Sequence, residues 1–269
     1  MVHAFAKLFP TILVVSSLVK GTAVGLGLLV TRFRQAERLR VYRKALAPGQ
    51  LRSEAWAAGR VVLFDAVALT AFQAAVRSRF APFGVGAALA TFVWMFVGFE
   101  VWFYVTHRPL HTRALYRFHA QHHVAQVTEP LTSLSFSLVE RAVLLSGNFA
   151  LVLLALGVMP VPMAGAMLYV LTDYALDVVG RANTEWLSTR FVASGLGRVL
   201  FTPTFHAMHH ARHQGHYGLF TTVLDRWLGT AFEDYPRVHA RARAGEGLER
   251  VGERVQAAGA PPATLAPTG

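Results

Sequence analysis

The sequence predicts an all-α integral membrane protein, a bundle of about four to five transmembrane helices with a histidine-rich helical cap on its cytoplasmic side. Of the 269 residues, 54% are hydrophobic, and the mean hydropathy of +0.39 is high for a soluble domain. Five apolar runs approach the length of about 20 residues that a membrane-spanning helix needs. Ten of the twelve histidines lie in two short windows, residues 107–123 and 206–216.

The first three predicted spans are residues 8–30, 60–77 and 84–106. Lys20 lies near the middle of the first span, and a signal peptide is the alternative. The apolar run is longer than the hydrophobic region of a signal peptide, however, and no small-residue cleavage site precedes a soluble domain. The second span is short and contains polar residues. The third is the strongest, because at 1.5 Å per residue it is about 34 Å long.

Residues 138–158 and 161–180 form a predicted hairpin, and the two prolines of GVMPVP mark its turn. The chain therefore divides into residues 1–83, with two spans and a basic loop, residues 84–236, with three spans and both histidine windows, and residues 237–269. This last region is a basic tail that ends in Ala, Pro and Gly. We expect it to lie outside the core and to be partly disordered, above all beyond Ala257.

Loop charge predicts the orientation, because cytoplasmic loops are enriched in Lys and Arg. The loop between the second and third spans offers only Arg77 and Arg79, so the strongly basic first loop is expected in the cytoplasm. Counting spans places both histidine windows on the same side. The abundance of Ala and Gly suggests a GC-rich bacterial genome, so the membrane is expected to be a bacterial inner membrane. The basic residues of the first loop are Arg32, Arg34, Arg38, Arg40, Arg43, Lys44, Arg52 and Arg60.

Composition also excludes several classes of site. The chain has no cysteine, so disulfides, thiolate metal sites and cysteine nucleophiles are excluded. The net charge of +11 would suit nucleic acid, but no nucleic-acid-binding motif is found. Anionic lipid headgroups are the better match for the basic loops of so apolar a chain.

Histidine spacing predicts a metal centre. His107 and His111 are four apart, which places them on one helix face, although Pro109 between them is expected to disturb that helix. Two further sets, at 119, 122 and 123 and at 206, 209 and 210, share the spacing i, i+3, i+4. These imidazoles could hold two ions with about four ligands each. A b-type haem needs only two axial histidines, and a zinc buffer would use a low-complexity tract.

The three boxes HRPLH, HAQHH and HAMHH resemble those of the fatty acid hydroxylase and sterol desaturase superfamily, membrane enzymes with a non-haem di-iron centre. The similarity includes the flanks EVWFYVT, LYRF and HYGLFTTVLDRWLGT and covers about residues 90–235. It implies that residues 84–236 are the catalytic domain, with no catalytic group beyond the metal ligands. The implied iron ligands are His107, His111, His119, His122, His123, His206, His209 and His210.

The chain departs from the family pattern at three positions. Ser137 and Arg181 stand where many relatives carry histidine, and His216 stands where asparagine is usual. His213 or His216 could therefore replace a missing ligand.

Several polar residues are expected close to the ligands. Glu100 lies two helical turns before His107, and a carboxylate within a span usually faces the protein interior. It is expected to hold a metal-bound histidine by its second N–H, with an ion pair to Arg108 or Arg181 as the alternative. The other expected neighbours are Asp173 and Asp177, which could pair with Arg181 or support the metals, Asp225, which would orient a helix, and Asn183.

A run of aromatic side chains could line an acyl channel, although lipid-facing or core packing is the better interpretation. The residues are Trp94, Phe96, Phe99, Trp102 and Phe103.

The resemblance implies an enzyme that hydroxylates or desaturates a lipid with two iron ions, O2 and external electrons. No haem or flavin domain is found, so a separate ferredoxin- or cytochrome-type protein is expected as the donor. Ser137 and Arg181 favour the alternative of a non-catalytic or altered metal-binding protein of the same fold. A metal transporter is a weaker third hypothesis, because transport sites lie near the bilayer midplane. Substrate identity and oligomeric state cannot be read from the sequence.

Overall fold

The computed structural model describes residues 2–256. In this range the chain forms helices joined by short 3-10 turns and four isolated β-bridges, with no β-strand. The α-helices are α1 (Val2–Thr31), α2 (Arg34–Arg38), α3 (Gln50–Val76), α4 (Val85–Leu110), α5 (Tyr116–His119), α6 (Leu138–Val158), α7 (Met163–Gly180), α8 (Thr189–Ala193), α9 (Pro203–Arg212), α10 (Val223–Trp227) and α11 (Tyr235–Ala244).

Five of these helices, α1, α3, α4, α6 and α7, are long and apolar enough to cross a membrane. The predicted membrane bundle is thereby confirmed, and α6 has the predicted bounds. Helix α3 begins ten residues before the predicted span, because its first turns bury polar side chains. Gln50 Nε2 donates to the Val127 carbonyl at 2.9 Å, and Thr132 Oγ1 donates to Glu54 Oε1 at 2.7 Å. Hydropathy cannot indicate a helix start of this kind.

Helix α4 packs against α6 and α7, and α1 packs against α3 and α7. Small residues allow the close approach, as is usual between membrane helices. A Cβ atom at Gly165 would lie 2.6 Å from the Ala88 carbonyl oxygen, and one at Gly147 would lie 2.3 Å from the Trp102 ring. Glycine is therefore required at both crossings.

Lys20 enters the bundle because it meets a carboxylate there. Its Nζ lies 2.5 Å from Asp65 Oδ2, and Arg141 donates to both Asp65 oxygens, at 2.8 and 2.7 Å. Buried charges are tolerated in such a span when they are paired. This charged cluster joins α1, α3 and α6.

The cap comprises residues 32–49, 111–137 and 181–256, which adjoin the same ends of the five long helices. At the opposite ends, Ala81 N donates to the Val161 carbonyl at 2.9 Å and joins the two short connections. Within the cap, Asn183 exchanges two hydrogen bonds with the Tyr42 backbone, at 2.9 and 2.8 Å. Leu248 N donates to the Val41 carbonyl at 2.7 Å.

The core extends beyond Arg237, where the sequence predicts that the chain leaves it. Helix α11 packs against α9, and Val238, His239, Ala242 and Leu248 are at most 1% exposed. The buried residues of α11 have helical spacing. Because arginines lie between them, the composition of the segment alone does not indicate a buried helix. The tail predicted outside the core is therefore part of it as far as Leu248. Residues 257–269, on which the expectation of disorder falls, lie outside the described residues.

Candidate metal centre

The eight histidines of the three boxes are all buried and form two groups. Within each group, one nitrogen of every histidine lies within 4.8 Å of the others. Both sequence windows contribute to both groups, so the predicted convergence of distant segments is confirmed. The five-histidine group is His107, His111, His119, His123 and His209, and the three-histidine group is His122, His206 and His210.

Local structure explains this division. Helix α4 continues through Pro109 to Leu110, and His111 follows as its C-terminal cap. The second box is not one helix, because α5 ends at His119 and a 3-10 turn carries His122 and His123. This break allows His122 to join a different group from His119 and His123.

The third box lies on helix α9, as its spacing predicts. His206 and His210 are one turn apart on one face, whereas the intervening His209 belongs to the other group. Helix α9 therefore contributes histidines to both groups.

Backbone carbonyls hold the Nδ1 atoms of four histidines. A carbonyl only accepts hydrogen bonds, so Nδ1 carries the ring proton and Nε2 is left with its lone pair. In metal sites, the histidine nitrogen that does not bind the metal usually donates its N–H to a carbonyl or carboxylate in the same way. The pairs are His107 with Tyr217 at 2.9 Å, His122 with Ser135 at 3.1 Å, His209 with Gly215 at 2.8 Å and His210 with Ala125 at 2.9 Å.

The carboxylate of Glu140 holds a fifth histidine, His119. The sequence-based predictions include His119 but not Glu140. His119 Nδ1 donates to Glu140 Oε1 at 2.7 Å. Ser137 caps α6 by accepting from Glu140 N at 3.1 Å, and its hydroxyl donates to the Phe118 carbonyl at 2.5 Å. The pattern Ser-x-x-Glu is a helix-start signal that places Glu140 in the first turn. Ser137, where many relatives have histidine, is thus a helix cap.

The contacts between Nε2 atoms fit a shared cation. Nε2 of His107 lies 3.1 Å from Nε2 of His119 and 3.2 Å from Nε2 of His111. Because Nδ1 carries the proton in both His107 and His119, their Nε2 lone pairs face each other with no proton between them. Bonds of about 2.1 Å to a shared metal ion place neighbouring nitrogens about 3 Å apart. His206 and His210 repeat the contact at 3.0 Å.

Unpaired buried nitrogens support the same interpretation. Nε2 of His122, Nε2 of His209 and both nitrogens of His123 have no hydrogen-bond partner among the described residues. Leaving such groups unsatisfied costs about 1–3 kcal/mol each. Imidazole suits iron, zinc, copper and nickel. The residues therefore fit two metal ions, one for each group.

Burial favours the neutral form of six of these rings. It lowers the pKa of His111 to about 3, and it lowers the pKa well below 6.5 for His122, His123, His206, His209 and His210. Neutral imidazole is the form that binds metal. The centre is thus ready for a cation without first losing protons.

His216 cannot serve as a replacement ligand, so this prediction is wrong. Its Nδ1 donates to the Phe205 carbonyl at 2.9 Å, and its Nε2 accepts from Phe232 N at 2.9 Å. Both nitrogens are therefore used. His213 belongs to neither group, because α9 ends at Arg212 and the backbone of His213 turns away with φ of +65°. Its Nδ1 lies 3.3 Å from the Tyr116 hydroxyl.

Glu100 does not hold a histidine, nor does it pair with Arg108 or Arg181. Its carboxylate accepts from Phe220 N and Thr221 N, both at 2.9 Å, and from the Thr221 hydroxyl at 2.8 Å. Glu100 does lie two helical turns before His107. The chain after the third box returns to α4, however, and its Phe220 and Thr221 hydrogen-bond the carboxylate instead. The sequence gives no signal for that return.

Asp225 has a structural role, but it holds a turn rather than orienting a helix. Its carboxylate accepts from Tyr217 N at 2.8 Å and from Gly218 N at 2.7 Å. The Tyr217 carbonyl in turn accepts from His107. Asp225 and Glu100 therefore both fix the segment that positions this histidine.

The remaining predicted neighbours have structural contacts. Asp177 forms the expected ion pair with Arg181, and Asp173 accepts from the Tyr169 hydroxyl at 3.5 Å. Asn183 does not support a metal ligand, because both the oxygen and the nitrogen of its side-chain amide form hydrogen bonds with the Tyr42 backbone. Arg181 is 1% exposed, and its Nε and Nη2 atoms have no partner among the described residues.

The aromatic run of α4 serves packing. Phe99 and Phe103 are in the core, and Phe96 stacks on Phe220. Trp94 and Trp102 donate their indole N–H groups to carbonyls of α6, at 3.0 and 3.1 Å.

Two apolar spaces lie elsewhere in the bundle. A groove of about 860 Å³ runs between α1 and α7 and reaches Ala182 and Trp186 in the cap. A cavity of about 320 Å³ lies among the five long helices, with Arg141 and Asp173 among its lining residues. The aromatic run lines neither space in the described part of the chain.

Comparison with known proteins identifies relatives of this chain. The profile described as "Fatty acid hydroxylase" matches residues 92–230. The very-long-chain aldehyde decarbonylase GL1-6 of Oryza sativa subsp. indica is 33% identical over 152 residues, 54% of this chain and 24% of the rice protein. The very-long-chain aldehyde decarbonylase CER1 of Arabidopsis thaliana is 30% identical over 140 residues, 50% of this chain and 22% of that protein.

The chain spans about a quarter of the length of these curated relatives. No solved structure matches it significantly. The profile covers more than half of the chain and includes all three histidine boxes. The chain therefore belongs to the fatty acid hydroxylase family.

Proposed function

We propose that the chain is a membrane-bound di-iron oxygenase that hydroxylates or desaturates a lipid. The observation that carries the proposal is the set of eight buried histidines in two groups, with protonated Nδ1 atoms and bare Nε2 atoms. Iron bound there would supply the activation of O2, chemistry that side chains alone do not provide. We assign one ion to each group.

The chain's own residues would hold the reaction in place. Carbonyls and Glu140 fix the ring orientation of five ligands, and second contacts of this kind raise ligand basicity. All eight histidines are buried, so bulk water is kept from the centre. Exclusion of water protects reactive species from side reactions.

Lipid access is proposed through the groove between α1 and α7. Its lining is almost entirely apolar, and it extends from Leu18 in the membrane to Ala182 and Trp186 in the cap. A long alkyl chain could enter there sideways from the bilayer. The cavity of about 320 Å³ is of a size that suits a small ligand and could receive the chain end.

We place the centre at the cytoplasmic face of a bacterial inner membrane, because the cap contains the strongly basic first loop. Electrons would come from a separate ferredoxin- or cytochrome-type protein that docks on this cap. The cap is therefore proposed to contact both the lipid substrate and the electron-donor protein.

The proposal is tested by comparing lipids and bound iron in host cells with the chain, with His122→Ala and without the chain. We expect about two iron ions per purified chain and a new oxidised or unsaturated lipid that the variant does not make. An iron-loaded chain that leaves the lipid profile unchanged would favour the non-catalytic alternative. A product that persists undiminished in His122→Ala would contradict the proposed centre.

A second candidate substrate is a long-chain aldehyde, which the names of the plant relatives favour. A deuterium-labelled long-chain aldehyde and the matching fatty acid, supplied to the same cells, distinguish the two. Labelled hydrocarbon from the aldehyde alone would support the second candidate. A labelled hydroxy or unsaturated product would support the first.

A further inference from the structure

Arg181 is a buried cation with unused hydrogen-bonding groups. It directly follows α7, and only its Nη1 atom is engaged, by Asp177. Nε and Nη2 have no partner among the described residues, although the side chain is 1% exposed. Unpaired donors on a buried charged group are strongly unfavourable. Such donors therefore indicate an additional ligand.

The guanidinium lies beside the three-histidine group. The ring of His122 stacks on Phe136, with centroids 4.6 Å apart, and Arg181 Cζ lies 5.9 Å from the centre of the same Phe136 ring. Helix α7, which ends immediately before Arg181, packs against α9, the helix that carries His206 and His210. Arg181 therefore adjoins the three-histidine group through both Phe136 and α9.

The two groups differ in the negative charge that supports them. Glu140 contacts His119 in the five-histidine group. In the three-histidine group, Nδ1 of His122 and Nδ1 of His210 contact backbone carbonyls instead. Asp177 pairs with Arg181, and Glu140 pairs with His119, so a divalent ion on three neutral imidazoles would have no anionic ligand of its own in this buried space. An anion would balance the charge of that ion.

We propose that Arg181 binds a carboxylate that is also a ligand of the three-histidine group. The Nε and Nη2 atoms form the planar fork that matches the two oxygens of a carboxylate. The inference rests on the proposed function only in that a metal ion occupies this group. The carboxylate could belong to the head of a fatty acid or to a small free acid. The apolar groove reaches Ala182, the residue that follows Arg181 in sequence, and would accept the tail of the former.

The test uses the full-length protein in detergent, loaded with cobalt(II), whose visible absorption reports its ligands. Acetate and dodecanoate are titrated into the wild type, Arg181→Met and Arg181→Lys. We expect saturable spectral changes in the wild type and at least about tenfold weaker binding in Arg181→Met, the loss of one charge-assisted contact. Cobalt content should not fall in the variants, because Arg181 is not a metal ligand.

Two further variants keep the result interpretable. The double variant Asp177→Asn with Arg181→Met removes both charges of the ion pair and guards against misfolding from an unpaired carboxylate. Arg190→Met removes an exposed arginine of α8 and should bind acetate like the wild type. Much tighter binding of dodecanoate than acetate identifies a fatty-acid head, whereas equal affinities identify a small free acid.

Unchanged acetate affinity in every Arg181 variant would overturn the inference, as would cobalt-loaded wild type whose spectrum ignores both acids. These failures leave the metal centre intact. A wild-type chain that binds no cobalt would overturn the proposed function, and the inference with it.

Discussion

At the scale of single residues, the centre depends on which ring nitrogen of each histidine faces inward. Five histidines use Nδ1 to contact a carbonyl or Glu140, so five Nε2 lone pairs are available for metal. Spacing in the sequence predicts which histidines converge. It does not predict the tautomers, because four acceptors are carbonyls at residues 125, 135, 215 and 217 in irregular segments, and the fifth is Glu140 in the first turn of α6.

Glu140 provides the sharpest residue-scale prediction. Glu140→Ala should lower metal affinity about 10–100-fold, because loss of a carboxylate partner frees the ring of His119. Glu140→Gln keeps an oxygen that can accept from Nδ1 and should lose less. Competition with a chelator measures the affinity. Glu249→Ala, at an exposed position, is the control, and equal affinity in Glu140→Ala and wild type would contradict the assigned contact.

At the scale of elements, the charged cluster of Lys20, Asp65 and Arg141 fixes how three membrane helices pack. Asp65 is the only carboxylate that contacts both cations in the described structure. Removing it leaves two buried cations, whereas removing Lys20 leaves the two hydrogen bonds from Arg141 in place. The asymmetry makes the two substitutions unequal.

Asp65→Ala should therefore destabilise the bundle by about 3–5 kcal/mol, the usual cost of an uncompensated buried charge. Lys20→Met should cost clearly less, because methionine fills the space without a charge. Thermal unfolding in detergent measures both variants, and Lys7→Met, on the exposed side of α1, serves as the control. If Lys20→Met were as damaging as Asp65→Ala, the cluster would act as a unit that Arg141 cannot maintain alone.

The same elements explain where sequence reasoning succeeds. Spans were predictable because each has a long apolar run, and helix α9 because its histidines keep helical spacing. The start of α3, the break between His119 and His122, and the burial of α11 were not predictable. They depend on contacts such as Gln50 with the Val127 carbonyl, which join residues far apart in sequence. Polar contacts of this kind leave no periodic signal.

At the scale of the whole molecule, the cap accumulates neutral buried histidines. His216 is an instructive case because it lies outside both metal groups. Burial lowers its pKa to about 3, while an unfolded histidine titrates near 6.5. Between these values the unfolded chain binds a proton that the folded chain does not, so stability falls as the pH falls below about 6.5. Each such histidine contributes up to about 1.4 kcal/mol per pH unit.

We therefore expect the metal-free protein to lose stability steeply from pH 7 to pH 5. His216→Asn should lower the slope of unfolding free energy against pH by about 1.4 kcal/mol per unit, the share of one proton. The slope is the readout, since the loss of contacts to Phe205 and Phe232 should lower stability at every pH alike. Chemical unfolding in chelator-treated detergent solution measures it, with His3→Asn, at an exposed position, as the control. A variant slope equal to that of the wild type would mean that His216 already carries its proton in the folded cap, which its hydrogen bond from Phe232 N does not allow.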